Sequence, residues 1–537
     1  MKAGEFDYVI AGGGTAGCVL AARLSEDSAV RVLLLEAGGP PDSLWIRMPA
    51  GMGRLFVNPK YNWGYVGHAG AQHAGREIYL PQGKVLGGSS SINGMAFVRG
   101  HPQDYDRWRD LGGTGWDWTS VLPYFMRLEQ RLDSPSEQRG YKGSLGVSEP
   151  VFRHPSSCAF IEAAVAAGIP RNPDYNSGSQ EGAGFLQFSI RGGKRDSAYR
   201  AWLEPALGRT NLLVTTGAQV LRLLIERGNA VGVSYSQSGQ VHEARARREV
   251  IVAGGAIGSP RILLHSGIGP AAQLQRAGVP VVLDLPGVGQ NLIDHPYLQP
   301  TYTTTEPRHS LNRHLRGWRV FAHGAGWLFG GRGPLTIGAS QAVAFVKLSG
   351  EDRPGLQLNF RPISFQYDAS GRMSADPVGR VTAAACVLRP RSRGELTITS
   401  ADPTVPPKIH AAYLEDDADV EAMVEGLGWM RRIFEHEPLR SILLKEDIPG
   451  PDVRTQDQLR EFAHSMTRTM CHPVGTCRMG TDGLAVVDPE LRVHGVGSLR
   501  VIDSSVMPDI VSGNTAAATY MIGERGADLV RAGMTQR

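Results

Sequence analysis

Residues 7–36 read DYVIAGGGTAGCVLAARLSEDSAVRVLLLE: an apolar strand, a glycine turn, a helix and a second apolar strand that ends on an acid. The turn Gly12-x-Gly14-x-x-Gly17 follows Tyr8-Val9-Ile10-Ala11 directly, and Glu36 stands 19 residues beyond Gly17. This is the spacing of a ribose-binding carboxylate after a dinucleotide-binding turn. Gly12 permits the tight turn, Gly14 lets the backbone approach a pyrophosphate, and Gly17 lets the helix from about Ala16 to Ser25 lie on its strands. The free N–H groups at the helix start face the anion. Glu36 can accept hydrogen bonds from both ribose hydroxyls, and its charge repels a 2′-phosphate. The motif by itself does not separate NAD from FAD.

At 537 residues the chain is several times the common domain size of about 100–150 residues, which predicts two lobes and a large core. A hydrophobic share of 42%, a charged share of 20% and 67 glycines fit a turn-rich globular protein and exclude disorder or a fibre. The formal charge of +4 is mild, with bases scattered among acids, so nothing points to nucleic acid. Five cysteines without a CxxC pair predict reduced thiols in a cytoplasm. Cys471 and Cys477 lack a partner cluster, and no metal site is expected. The N-terminus MKAGEFDYVI has no basic and apolar leader, and no run of about 18 apolar residues exists to span a bilayer. The expected location is cytoplasmic, with peripheral contact to an inner membrane left open.

Strand and helix signals alternate at the N-terminus, as in a parallel sheet with crossover helices. Between Gly39 and Gly83 the pattern breaks into Gly, Pro and aromatic residues without a period, predicting a lid-like excursion. Residues 211–224 and 230–235 predict a small antiparallel unit, and EVIVA (249–253) a return to the nucleotide sheet. Residues 300–389 predict a six-strand antiparallel lobe. The span from Leu414 to Pro438 predicts a helix with Val420, Met423, Val424, Leu427, Met430, Ile433 and Phe434 on one buried face. Acids at its start and arginines at its end complement the helix dipole.

Two segments narrow the cofactor. Residues 83–100 read GKVLGGSSSINGMAFVRG and residues 255–269 read GAIGSPRILLHSGIG. They resemble the two diagnostic motifs of the glucose-methanol-choline family of FAD-dependent oxidoreductases. The resemblance extends over GVGQNLIDHP (287–296), LRPRSRGEL (388–396), CHPVGTCRMG (471–480) and LRVIDSSVMPDIVSGNT (499–515), nearly the whole chain. The C-terminal third is most similar to bacterial acceptor-linked alcohol dehydrogenases. The fold implied is α/β (α+β overall): a Rossmann-like FAD-binding domain (1–155, 211–300 and 475–537, with the excursion at about 40–83) and a mostly antiparallel-sheet substrate-binding domain capped by helices (156–210 and 301–474).

The resemblance implies FAD, held by Gly12, Gly14, Thr15, Ala16, Gly17 and Glu36 at one end. It extends the contacts to Leu86, Gly87, Ser91, Asn93, Gly94, Val220, Asp503, Asn514 and Thr515. Some family members carry a histidine just before the asparagine that matches Asn93, bonded covalently to the flavin. Ile92 stands there instead, so FAD is expected to be non-covalent. Asp503 is expected at the flavin's ribityl or pyrophosphate region, and Asn514 as the N-cap of a helix Thr515–Arg531 aimed at the flavin. His472 matches the family's base, and an imidazole suits proton abstraction because its ordinary pKa lies near working pH. Asn514 matches the base's partner and cannot take a proton, so it orients the hydroxyl. His295 is read as structural. Trp63, Phe345 and Phe365 are expected in apolar pocket walls around an uncharged substrate. The chemistry implied is oxidation of a small alcohol, primary and aromatic or aliphatic, to an aldehyde, with electrons passed to a quinone-like acceptor. An oxidase that reduces oxygen to hydrogen peroxide and a hydroxynitrile lyase remain alternatives.

Overall fold

The computed structural model describes residues 5–70, 75–133, 136–338, 340–367 and 373–533. The opening stretch folds as β1 (Phe6–Ala11), α1 (Thr15–Leu24) and β2 (Val32–Glu36). All residues of both strands are buried, as expected of apolar strands covered on two faces. β1 pairs in parallel with β2 on one side and with the strand Gln240–Val252 on the other. Leu212–Thr216 adds in parallel beyond β2, and Leu499–Val501 adds in parallel beyond Gln240–Val252. The result is an all-parallel sheet of five strands with the first glycine turn at its carboxyl edge. That is where ligands bind in sheets of this kind.

Gln240–Val252 continues past the sheet and pairs antiparallel with Asn229–Gln237, which pairs with Ala218–Glu226. The antiparallel unit expected of residues 211–224 and 230–235 is present from Ala218 onward, whereas Leu212–Thr216 is a separate strand of the parallel sheet. Gly217 sits between them at φ +64°, a left-handed conformation that turns the chain from the parallel sheet into the ribbon.

A second sheet runs in the order Leu443–Ile448, Thr301–Thr304, Arg380–Val387, Pro354–Arg361, Ala342–Lys347, Gly182–Phe185, all antiparallel. The expected six strands are present along this path but draw on residues well outside 300–389. Pro296–Leu298 joins the sheet beside Arg380–Val387 and pairs with Arg468–Thr469. The helix Asp417–Phe434 packs its apolar face on this sheet, N-capped by the Asp416 carboxylate, which accepts from Ala418 N–H at 2.9 Å. The segment 40–83 holds short helices and two strands, Tyr65–His68 and Glu77–Leu80, that form a small sheet with Glu395–Thr397 and Lys408–His410.

Candidate active site

A cavity of about 950 Å³ runs between the two sheets. One end is the glycine turn. Gly12 has φ +117°, and a side chain there would meet the carbonyl of Ala253. A side chain on Gly88 would meet Gly14 Cα at 2.7 Å, so the turn and the loop after residue 86 touch backbone to backbone. Glu36 is 6% exposed, and its two carboxylate oxygens accept from Gly13 N–H at 2.8 Å and Gly38 N–H at 2.7 Å. Burial pushes its carboxyl up to about 7, against the pull of those N–H groups and of Lys84.

The wall contains Gly12, Gly14, Thr15, Ala16, Glu36, Asn93, Gly94, Val220, Asp503, Asn514 and Thr515 of the expected cofactor residues. Gly17, Leu86, Gly87 and Ser91 stand behind it. Gly17 faces the carbonyl of Gly12, Leu86 backs Gly13, Gly87 makes the left-handed turn, and the Ser91 hydroxyl donates to Leu86 O at 2.8 Å. These four support the wall from the second layer. Asn93 is held by Arg195, a buried guanidinium missed in the sequence, which donates to Asn93 O at 2.7 Å, Asn93 Oδ1 at 2.8 Å and Ile46 O at 2.9 Å. The Asp503 carboxylate accepts from Gly255 N–H at 2.8 Å, Ser259 O–H at 2.5 Å and Ser505 N–H at 2.8 Å, and so fixes the turn at Gly254–Gly255.

At the other end His472 is half-buried with one side open to the cavity. Strand pairing puts it there: Met470 N–H donates to His295 O at 3.0 Å, and Val474 N–H to Ile293 O at 2.9 Å. Residues 471–473 are thus clamped at both ends, with Cys471 at φ +64° making the turn. Asp294 ties the two histidine segments together. Its Oδ1 accepts from the N–H groups of His295 and His472, both at 2.8 Å, and its Oδ2 accepts from Tyr413 O–H at 2.6 Å and Thr469 O–H at 2.5 Å.

The side chains form a directed chain. His295 Nε2 lies 3.0 Å from Leu388 O, His295 Nδ1 lies 3.0 Å from His472 Nδ1, and His472 Nε2 lies 3.0 Å from Asn514 Nδ2. A carbonyl only accepts, so His295 carries its proton on Nε2. Burial pushes the His295 pKa down to about 4, so this ring is neutral and its Nδ1 is an acceptor. His472 must then donate from Nδ1, which leaves the lone pair of Nε2 toward Asn514 and the cavity. Burial, and next the neighbouring His295, push the His472 pKa well below its ordinary 6.5. Reading His295 as merely structural therefore needs correction: it fixes the tautomer of His472. The segment resemblance at 287–296 pointed to this place, but one histidine among fifteen carries no such signal alone.

Asn514 is not the helix cap. The helix is Ala516–Ala532 with Thr515 in the cap position, and the Asn514 side chain instead bridges the lobes. Its Oδ1 accepts from Gln357 Nε2 at 3.2 Å while its Nδ2 faces His472. Trp63 and Phe365 line the cavity as expected. Phe345 does not; it stands opposite Gln357 on the face of its strand toward the cavity, but it is fully buried against Tyr175 behind the wall. Arg76, Arg361 and Arg468 also line the wall, with Tyr297 under Arg361 at 5.9 Å. Among the described residues the wall carboxylates are Glu36, Glu77 and Asp503.

A glycine cradle and a neutral, half-buried imidazole share one cavity, an arrangement that fits a dinucleotide-dependent oxidoreductase. The comparisons with known proteins agree. Two family models described as GMC oxidoreductase match residues 6–297 and 390–523. The mitochondrial choline dehydrogenase of Homo sapiens is 42% identical over 98% of this chain and 90% of its own length. An oxygen-dependent choline dehydrogenase of Sinorhizobium medicae is 41% identical over 98% and 95%. Among solved structures, pyridoxine 4-oxidase from Mesorbium loti has a TM-score of 0.89 at 31% identity, covering 98% of this chain and 99% of that one. A variant of Aspergillus oryzae formate oxidase reaches 0.93 at 28% identity, covering 100% of both. The chain belongs to the GMC oxidoreductases, FAD-binding flavoproteins, and is an oxidoreductase acting on CH–OH donors. The residues present fit FAD: a cradle without side chains at Gly12 and Gly14, a buried acid at its rim, and a cavity long enough to continue to His472.

Proposed function

We propose that this protein oxidises the hydroxyl of an uncharged or anionic primary alcohol to an aldehyde, with His472 as the base, Asn514 as its partner and a quinone-like molecule as the electron acceptor. The observation that supports it most is the chain Leu388–His295–His472–Asn514, which points a neutral Nε2 into the cavity that begins at Gly12. FAD supplies an acceptor for the hydride that leaves the alcohol carbon. His472 Nε2 takes the hydroxyl proton as the C–H bond breaks, and Asn514 Nδ2, already at that nitrogen, donates to the alcohol oxygen as charge develops there. Such a base contributes roughly 10² to 10⁴ in rate. Gly12, Gly14, Thr15, Glu36, Asn93, Val220 and Thr515 hold the cofactor, and Gly17, Leu86, Gly87 and Ser91 shape that wall from behind. Ile92 lines the wall without a nucleophilic atom, which supports non-covalent binding.

The relatives named choline dehydrogenases favour choline as a second reading. The cavity's charge speaks for the first. Arg361, Arg76 and Arg468 line the wall beside His472, although burial and next the Asp294 carboxylate still push the neighbouring Cys471 thiol up to about 12, with Arg361 pulling the other way. Glu36 and Asp503 serve the cofactor end, and Glu77 is exposed on its strand. A quaternary ammonium would meet three arginines there, against Glu77 at the wall and Asp294 buried behind His472. Anaerobic bleaching of the bound flavin separates the two readings. Benzylic or aliphatic primary alcohols are expected to bleach it faster than choline; preference for choline would overturn the first reading. Reoxidation by a soluble quinone but not by air is expected.

A further inference from the structure

The most exposed apolar surface lies on the helix Arg319–Gly330 and the residue before it. Trp318 is 74% exposed, Phe321 81% and Phe329 87%. Trp318, Phe321 and Leu328 recur at helical spacing, so they share a face. Monomeric globular proteins rarely leave an apolar patch of this kind uncovered. Within the helix Trp327 is the buried residue. Its indole N–H donates to Gly193 O at 2.8 Å, and the ring packs with Met48 and Leu335, so the helix is anchored with its aromatic face outward.

The charge around this face is one-sided. Residues 307–350 contain no Asp or Glu, and residues 308–332 hold five arginines, more than the +4 of the whole chain. Arg313, Arg316 and Arg332 are exposed, and among the described residues no carboxylate pairs with them. A second copy of the chain would bring the same five arginines against these, which disfavours self-association here. Aromatic side chains flanked by arginines match a lipid surface with anionic headgroups, where rings sit at the acyl boundary and guanidinium groups reach the phosphates. The helix has 12 residues, too few to cross a bilayer, and no described helix is long and apolar enough to do so.

We propose that residues 308–332 dock this protein on an anionic bilayer surface, with Trp318, Phe321 and Phe329 entering the headgroup boundary. Both roots of the helix are cavity wall, Leu311 and Leu315 before it and Pro334 and Ile337 after it. Docking therefore sets this wall of the cavity against the lipid.

The test is co-sedimentation of the FAD-loaded protein with phosphatidylcholine vesicles, with and without phosphatidylglycerol. Binding at least about tenfold stronger with phosphatidylglycerol is expected, falling with added salt. A Trp318→Ser, Phe321→Ser, Phe329→Ser triple variant and an Arg313→Gln, Arg316→Gln double variant are each expected to stay in the supernatant. Their flavin content and melting temperature, measured on the same samples, are expected to stay as in the parent. Equal binding to both vesicle types, no binding to either, or variants that bind like the parent would overturn the proposal. So would a concentration-dependent dimer that the triple variant abolishes, since the face would then belong to a second copy.

Discussion

The glycine turn and the histidine cluster sit at opposite ends of one cavity and are made in different ways. Gly12, Gly14 and Glu36 come from one unbroken stretch of chain, and the groups they offer are backbone N–H donors and one acid at a strand end. At the other end His295 and His472 are 177 residues apart, and Leu388, Tyr413 and Asn514 come from further segments again. Local sequence dictates the first because a strand, a turn and a helix are short-range structures. The second exists only after two sheets have packed, because each of its groups owes its proton state to a neighbour distant in the chain. Binding and chemistry should therefore be separable by mutation.

The largest effect expected is at the histidine end. His472→Ala should lower kcat by roughly 10² to 10⁴ while the purified protein keeps its yellow colour. Retained turnover would remove His472 from the mechanism, and loss of FAD would merge the two ends that the comparison separates. His295→Leu keeps an apolar side chain at a buried position but deletes the acceptor for His472 Nδ1–H. It should reduce kcat about ten- to a hundredfold with little change in KM, as loss of an orienting partner does at metal-bound histidines. A variant with normal kcat would make His295 a packing residue only. The converse experiment, Gly12→Ala, forces a side chain into a φ of +117° and against Ala253 O. Strain of this type costs about 1–3 kcal/mol, so FAD should be retained roughly ten- to a hundredfold less tightly. Reconstitution with excess FAD should then restore the flavin reduction rate.

Much of the first end was legible in the sequence, and the structure shows why. Gly12, Gly14 and Glu36 act through spacing that a linear reading captures. Gly17 shares that spacing, and Leu86, Gly87 and Ser91 come from the resemblance at 83–100, but all four support the wall from behind, a distinction set by packing depth. His472 and Asn514 were identified by resemblance, and the structure brings them within 3.0 Å of each other. The role of His295 was not legible, because a histidine within Asp294-His295-Pro296 reads equally well as structural. Asn514 looked like a helix cap because Asn before an alanine-rich run is a strong cap signal; the contact with Gln357 from the other sheet overrode it. Phe345 is expected in the wall from the resemblance, and it does stand on the cavity side of its strand opposite Gln357; Tyr175 covers it, a packing depth that sequence does not reveal. Residues 211–224 read as one stretch of the antiparallel unit because β propensity runs through Gly217 without marking the turn.

The central claim is that the buried chain of hydrogen bonds holds His472 neutral, with the proton on Nδ1 and the lone pair on Nε2. Histidine-selective ¹⁵N NMR of the FAD-loaded protein, with His472→Ala to assign the signals, reads this directly. A protonated Nδ1 and an unprotonated Nε2 are predicted. Because burial disfavours the cation, the ring should stay neutral as the pH falls through the ordinary 6.5 and take a proton only further down. An imidazolium at neutral pH, or a proton on Nε2 with Nδ1 bare, would contradict the account.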